Sequence, residues 1–182
     1  MDVVRFARPD DAAAIAANYA PIVAATWISF EEVPPSAADM RARIEAAAGK
    51  YPFLCCERAG EIAGYAYASR HRERASYRWS VDVSAYVDER FRRSGVARGL
   101  YESLFEILPR QNYRNAFAGI TLPNEPSVAF HHDLGFVDVG RYRNVGYKLD
   151  AWRDTLWLQR ELREPGPRPD EPIPPARPAP DV

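Results

Sequence analysis

The chain reads as one α/β domain built on a mixed sheet, in the order β-α-α-β-β-β-α-β-α-β-β. Three observations predict it. Runs rich in β-branched and aromatic residues alternate with polar positions, as in Ser80-Val81-Asp82-Val83-Ser84-Ala85-Tyr86-Val87, which is the period of a strand. Apolar residues then recur every four positions at Val96, Leu100, Leu104 and Leu108, the period of an amphipathic helix. Two strand-like runs, 52–58 and 62–69, are separated by little more than the turn Ala59-Gly60, so they return antiparallel. Consecutive antiparallel strands exclude the strict alternation of a doubly wound dinucleotide fold, and neither G-x-G-x-x-G nor G-x-x-x-x-G-K-S/T occurs.

The elements follow in order. Residues 3–7 alternate as a short strand. Pro9-Asp10-Asp11 opens a helix, since acidic residues favour its N-terminus, and Ile15 and Tyr19 lie one turn apart. Residues 24–32 are less regular, and Pro34-Pro35 breaks the chain. Ser36-Ala37-Ala38-Asp39 resembles a capping box and starts a helix that Gly49 closes. The antiparallel pair 52–58 and 62–69 comes next, then 77–87 as the longest strand. A helix from about Gly95 to Leu108 stops near Pro109, and 114–120 is a strand. Asn124 is a plausible N-cap for a helix reaching Leu134, with Gly135 at its exit. Residues 136–147 and 152–160 close the sheet. The folded domain spans 1–162. Beyond it, 163–182 is dominated by Pro and charge and is expected to be a disordered, solvated tail.

Composition narrows the function classes. The chain has 182 residues, 47% of them hydrophobic and 27% charged, which is globular rather than disordered. A net charge of −1 gives no general attraction to nucleic acid or to an anionic membrane. The arginines are instead clustered at 70, 72, 74 and 78, and again at 90, 92, 93 and 98. Such local clusters suit a small anionic ligand. No apolar run approaches the roughly 20 residues that a bilayer span needs, and residues 1–5 lack the plan of a signal peptide. Cys55 and Cys56 are adjacent and point to opposite faces of a strand, so they read as small core residues. A reducing compartment, the cytoplasm, is the expectation.

Between the Ser80–Val87 strand and the next helix stands Arg92-Arg93-Ser94-Gly95-Val96-Ala97. A basic, Gly-containing turn that opens a helix can hold phosphate, because unpaired N–H groups and the helix dipole point at the anion. Gly95 and the small Ala97 let the backbone approach, N–H groups from Arg93 to Arg98 form the cradle, and Arg92, Arg93 or Arg98 adds charge. The plainer readings are a turn glycine at Gly95 and a mere cap at Asn124.

These residues resemble the GCN5-related N-acetyltransferases (GNAT). That superfamily carries R/Q-x-x-G-x-G/A between its central strand and the following helix, here Arg92-Arg93-Ser94-Gly95-Val96-Ala97. Its second signature is an Asn before a helix that ends in L-G-F, here Asn124, Ser127, His131 and Leu134-Gly135-Phe136. Within it the chain is similar to the phosphinothricin/methionine sulfone acetyltransferase branch. The matching pieces are Ser29-Phe30-Glu31-Glu32-Val33-Pro34, Gly64-Tyr65-Ala66, Tyr77-Arg78, the Val81–Val87 strand and Val145-Gly146-Tyr147-Lys148. The resemblance implies a splayed central sheet, acetyl-CoA as cosubstrate, acetylation of a small-molecule amine, and a homodimer. It also implies that Ala85, Tyr86 and Val87 bind the pantetheine arm through their backbone, with Asn124 and Ser127 beside it.

The acceptor amine must lose a proton before it attacks, which calls for a base. Asp82, set between Val81 and Val83 in an apolar strand, is the candidate, since burial can raise its pKa; the family usually has Glu there. It can equally be a structural hydrogen-bonding carboxylate. A strand N–H near Val87 is the natural oxyanion donor. His131 stands where many members place a Tyr that protonates the leaving thiolate, and it is either that donor or a packed helix residue. His71 and His132 read as solvated-face residues. The three histidines lack metal-ligand spacing, so no metal is expected. An amino-acid acceptor has a carboxylate, for which Arg72, Arg74 or Arg78 can supply a bidentate fork. Phe30 and Glu31 match a segment that lines the acceptor pocket. Tyr147 and Lys148 can line it too, although Tyr147 reads more readily as core. Trp79, Val83 and Ala85 depart from the branch's usual residues, which leaves the acceptor open. The alternatives are a peptide N-terminus or another amine as acceptor, and a non-catalytic acyl-CoA-binding module. Asp82 distinguishes the last from an enzyme.

Overall fold

The computed structural model describes residues 2–164 and 166–176. Strands and helices follow the expected order: β1 (Asp2–Phe6), α1 (Ala12–Ala25), α2 (Ala37–Ala47), β2 (Phe53–Arg58), β3 (Glu61–Arg70), β4 (Ser80–Val87), α3 (Val96–Arg110), β5 (Asn115–Thr121), α4 (Glu125–Asp133), β6 (Val137–Lys148) and β7 (Ala151–Glu161). The strands form a seven-stranded sheet of order β1-β2-β3-β4-β5-β7-β6.

Adjacent residues on β2 show how this sheet divides the core. Cys55 packs with Ile15, Tyr19, Val23, Met40 and Ile44 beneath α1 and α2. Cys56 faces the other way, into the cluster built on Leu100, Tyr101, Leu104 and Leu108 of α3. Both thiols are free and buried, as their strand period requires. Burial pushes the Cys55 thiol up to about 12, so it stays protonated at neutral pH.

The joint between the sheet's halves positions the site. β4 pairs with β3 along its length, from Val81 opposite Arg70 to Val87 opposite Gly64. β5 pairs with β7 from Asn115 to Thr121. The parallel β4–β5 contact covers only Ser80–Asn115, Val81–Ala116 and Asp82–Phe117. Beyond Asp82 the two strands part, and the peptide groups on their facing edges have no ladder partner across the gap.

Several boundaries differ from the sequence reading. The strand expected over 77–87 begins at Ser80, because Ala75–Tyr77 forms a 3₁₀ turn closed by Tyr77 N–H to Arg74 C=O (3.0 Å). The longest strand is therefore β6. α3 runs through Pro109 to Arg110, and Gln111 N–H still reaches Ile107 C=O (3.2 Å). The Pro-rich segment, expected to be solvated, is held along part of its length. Ile173 N–H donates to Gln111 C=O (3.1 Å), and Gln111 Nε2 donates back to Ile173 C=O (2.8 Å). Trp79 Nε1 donates to Asp170 C=O (2.9 Å) and Asn112 Nδ2 to Glu171 C=O (2.9 Å). Side chains of the body thus satisfy its backbone, and prolines reduce the entropy lost on docking. Residues 165 and 177–182 of that tail lie outside the described residues.

Gly64 is the tightest point where β3 passes under β4. A Cβ there would lie 2.8 Å from Tyr86 C=O and 3.2 Å from Val87 Cα, both backbone atoms that have little room to yield. Gly64→Ala is expected to destabilise the fold by about 1–3 kcal/mol, read as a lowered Tm in thermal unfolding. An unchanged Tm would show that the strands shift freely.

Candidate active site

The cradle comes first. Gly95 holds φ +91° at the N-terminus of α3, with open space where a Cβ would sit, and Arg93 has φ +59°. The first intrahelical bond is Gly99 N–H to Gly95 C=O (3.0 Å). The N–H groups of Val96, Ala97 and Arg98 therefore have no acceptor within the helix. Arg58 braces this loop from behind, a role that sequence reasoning missed. It donates to Ser94 Oγ (2.6 Å) and Ser94 C=O (3.0 Å) while pairing with Asp2. Ser94 Oγ in turn donates to Phe91 C=O (2.6 Å), so this side chain anchors the loop. Arg92 lies only 3.8 Å from Glu89, and Arg98 lies 4.0 Å from Asp133 with its guanidinium over Phe130. Loosely held cations beside free N–H donors fit a pyrophosphate.

A narrow cleft of about 60 Å³ lies in the gap between β4 and β5. Ser84, Ala85, Tyr86, Gly119, Asn124 and Ser127 line it. The unpaired edge of β4 can bind an amide-bearing chain as a further strand would. Asn124 caps α4 with a long bond to Ser127 N–H (3.4 Å), and it faces the cleft as well. His131 reaches the cleft. Its Nδ1 lies 2.7 Å from Ser127 C=O, which only accepts, so Nδ1 carries the proton and Nε2 accepts from Tyr101 Oη (2.9 Å). Burial holds it below its usual pKa. Its Nδ1–H thus faces a helix carbonyl and its Nε2 the buried Tyr101 hydroxyl.

Asp82 ends the β4–β5 pairing, so its carboxylate stands at the fork. It is partly buried, and His71 Nδ1 lies 2.6 Å from Oδ1. Burial pushes the Asp82 carboxyl above the usual range, while His71 and the Arg72 guanidinium pull it back. His71 is not the solvated residue expected from sequence. Its side chain is 10% exposed, and its ring stacks on Phe117 at 4.1 Å with Trp157 and Tyr77 at its edges. His132 does lie at the surface, 2.8 Å from Asp138.

The irregular 26–34 segment carries Phe30 and Glu31, the two residues expected from sequence at the acceptor pocket. Glu31 is not free to bind an amine, because Arg43 forks its carboxylate (2.8 and 2.8 Å) and Tyr19 Oη donates to it (3.0 Å). Arg43 holds that carboxyl below its usual range. Lys148 is a buried brace, with Nζ donating to the carbonyls of Val23, Ser29 and Glu31 at 2.7 Å each. Phe30 between them is half-exposed, and its ring lies where a Cβ on Gly146 would be, 2.4 Å away. Glu31 and Lys148 thus position Phe30. Tyr147 is 55% exposed rather than core.

Two cavities flank Asp82's strand neighbours. One of about 290 Å³ is lined by Met40, Tyr51, Phe53, Tyr65, Tyr67 and Ser69. Ser69 pairs with Asp82 in register. The other, about 530 Å³, holds Lys50, Arg70, Arg72, Arg74 and Ser80 under the docked 171–174 segment. Arg78 does not serve as a free fork. It is spent on Glu171 (2.7 and 2.7 Å) and stacks 3.9 Å over Trp79. Among the described residues no group of three or more His, Cys, Asp or Glu could hold a metal ion. No helix among them is long and apolar enough to cross a membrane.

A sheet that opens beside an uncapped helix N-terminus, with a carboxylate at the vertex, is the architecture of the acyl-CoA N-acyltransferases. Comparison with known proteins makes this specific. The model of the acetyltransferase (GNAT) domain matches residues 4–157. The phosphinothricin N-acetyltransferase of Streptomyces viridochromogenes is 33% identical over 93% of this chain and 93% of its own. That of Alcaligenes faecalis is 38% identical over 87% of this chain and 82% of its own. Among solved structures, a GNAT superfamily phosphinothricin acetyltransferase from Sinorhizobium meliloti in complex with AcCoA superposes with a TM-score of 0.89. It is 31% identical and covers 94% of this chain and 95% of that one. The chain belongs to the GNAT acetyltransferase family, in its phosphinothricin-acetyltransferase-like branch, and is an acetyl-CoA-dependent acetyltransferase.

The Lys148 brace can be tested directly. Lys148→Met keeps the aliphatic stem and removes a donor to three carbonyls. It is expected to cost about 1–3 kcal/mol and to raise the acceptor KM more than the acetyl-CoA KM. Equal effects on both would show that the brace does not act through Phe30.

Proposed function

We propose that the chain acetylates the primary amine of a small amino-acid-like acceptor of the phosphinothricin or methionine sulfoximine/sulfone type. Asp82 carries this reading: it is a partly buried carboxylate at the fork of the sheet, between the cleft and the arginine-lined cavity. When bound, acetyl-CoA supplies an acyl carbon activated as a thioester. The N–H groups of Val96, Ala97 and Arg98 hold the pyrophosphate, with Arg92 and Arg93 adding charge. The backbone of Ala85, Tyr86 and Val87 and the side chain of Asn124 hold the arm, with Ser127 beside it. Asp82 takes the proton from the acceptor ammonium, directly or through water, and frees the nitrogen lone pair. A strand N–H near Val87 receives developing negative charge. Arg72 and Arg74 pair with the acceptor's carboxylate, and Phe30 walls the site.

The wider assignments are proposals of the same kind. Residues 1–162 form the acetyltransferase domain and 163–182 its appendage. The protein is a cytoplasmic homodimer that needs no metal and has neither nucleic acid nor membrane as partner. Two free buried thiols and a net charge of −1 support the location and the absent partners. Exposed Val137, Val139, Tyr142 and Trp152 on the outer strands support a covering subunit.

The test is thiol release from acetyl-CoA across amino-acid analogues, peptides and polyamines, with wild type and Asp82→Asn. Turnover is expected on the amino-acid analogues. Asp82→Asn is expected to lose about 10²–10⁴ in kcat while its affinity for acetyl-CoA is unchanged. Turnover confined to peptides or polyamines would overturn the acceptor class, and an active Asp82→Asn would remove the base.

A further inference from the structure

We propose that His71 is the positioning residue of the catalytic base, holding Asp82 ionised and aimed through an Nδ1–H to Oδ1 hydrogen bond. The proposal rests on the reading of Asp82 as base. It begins from a geometry that the surface setting of Arg70-His71-Arg72 conceals.

The bond is short, at 2.6 Å. An ionised carboxylate only accepts, so Nδ1 carries a proton and donates to Oδ1. The bond fixes the orientation of the ring. The ring lies flat on Phe117, 14° from parallel at 4.1 Å, with the edges of Trp157 and Tyr77 closing around it. Phe117 is the register partner of Asp82 across the last β4–β5 pair. The vertex of the fork therefore places the carboxylate, and the residue beside it on β5 is the platform for the imidazole. His71 C=O accepts from Arg72 Nη1 (2.9 Å), and the Arg72 guanidinium lies 5.3 Å over Trp157. The charged and titratable groups facing the pair are Arg72 and Tyr77 around His71, with Tyr67 on β3 near Asp82.

A buried carboxylate without a donor would hold its proton to higher pH and would leave the base unavailable. The imidazole N–H offsets that cost and occupies one oxygen, which leaves Oδ2 for the acceptor's proton. No proton needs to leave His71 in this scheme. It acts through Asp82 and does not touch the reacting atoms.

Two readouts test it, both on the full-length protein. Because the chain has three histidines, ¹⁵N-histidine NMR can assign His71, and it is expected to show the Nδ1–H tautomer at pH 8 in wild type and to lose it in Asp82→Asn. An Nε2–H tautomer in wild type would overturn the proposal. The second readout is the pH profile of kcat with one acceptor throughout. His71→Phe keeps a ring on Phe117 and removes the donor. Its acid limb is expected to move up by about one pH unit or more, with Tm and acetyl-CoA affinity near wild type. His71→Asn restores an N–H donor and is expected to bring the limb back toward wild type. An unmoved limb in a folded His71→Phe, beside an inactive Asp82→Asn, overturns the role of His71 alone. A fully active Asp82→Asn overturns the base and His71 with it. If His71→Phe does not fold, the wild-type tautomer still decides.

Discussion

Everything at this site depends on the parallel contact between β4 and β5 ending after three register positions. Each strand goes on hydrogen-bonding to its outer neighbour, β4 to β3 and β5 to β7. The gap therefore opens without loss of the remaining ladders. It leaves main-chain donors and acceptors facing an opening, where a ligand with alternating amide groups can take the place of a strand. Backbone recognition of this kind depends little on side-chain identity. The last pair fixes Asp82 and Phe117 side by side at the vertex, on the face shared with Tyr67, Tyr86 and Trp157. One structural constraint thus makes the cleft and places the carboxylate.

The walls are held by charges taken out of solvent. The 26–34 segment has no sheet or helix to satisfy its carbonyls, so Lys148 bonds two of them, Ser29 and Glu31, from across the fold, and with them Val23 in the last turn of α1. Burying an ammonium is costly, and burial holds Lys148 below its usual pKa, opposed by Glu32 and Glu31. Glu31 is itself fixed by Arg43 and Tyr19. Neither end of this network is free for an acceptor. Its product is the position of Phe30, whose ring approaches the backbone of Gly146 so closely that a side chain there would have to displace it. Arg58 serves the cofactor side in the same way, tying β1 and β2 to the cradle through Asp2 and Ser94.

Local patterns made much of this legible. Periods of two and four marked the strands and α3, and Gly95 with its arginines marked the cradle before any fold was known. Residues whose role depends on distant partners were not legible in that way. His71 sits in Arg70-His71-Arg72-Glu73-Arg74, a run that reads as surface, whereas Phe117, Trp157 and Tyr77 pack around its ring. Arg78 read as a free fork, but its partner Glu171 lies in a segment too rich in proline to predict docking. His131 carried a family expectation, but its contacts with Tyr101 and Ser127 were not legible in the sequence. The early strand start at residue 77 failed because β-rich composition cannot distinguish a 3₁₀ turn from the strand that follows it.

The division of labour along the chain follows from these contacts. The proposed cofactor side rests on backbone from β4 and the N-terminus of α3, so it depends little on side-chain identity. The proposed acceptor side draws on the 26–34 segment and on the link between β3 and β4, residues 71–79. That short link carries His71 against the base, Arg72 and Arg74 toward the larger cavity, and Arg78 and Trp79 into the docked C-terminal segment. Tuning of the proposed base and recognition of the proposed acceptor are therefore not separable by sequence distance. A change that redirects Arg72 also alters the charge felt by Asp82, and one that releases Arg78 frees the end of the same link. Acceptor preference in this chain is expected to track this link rather than the cradle.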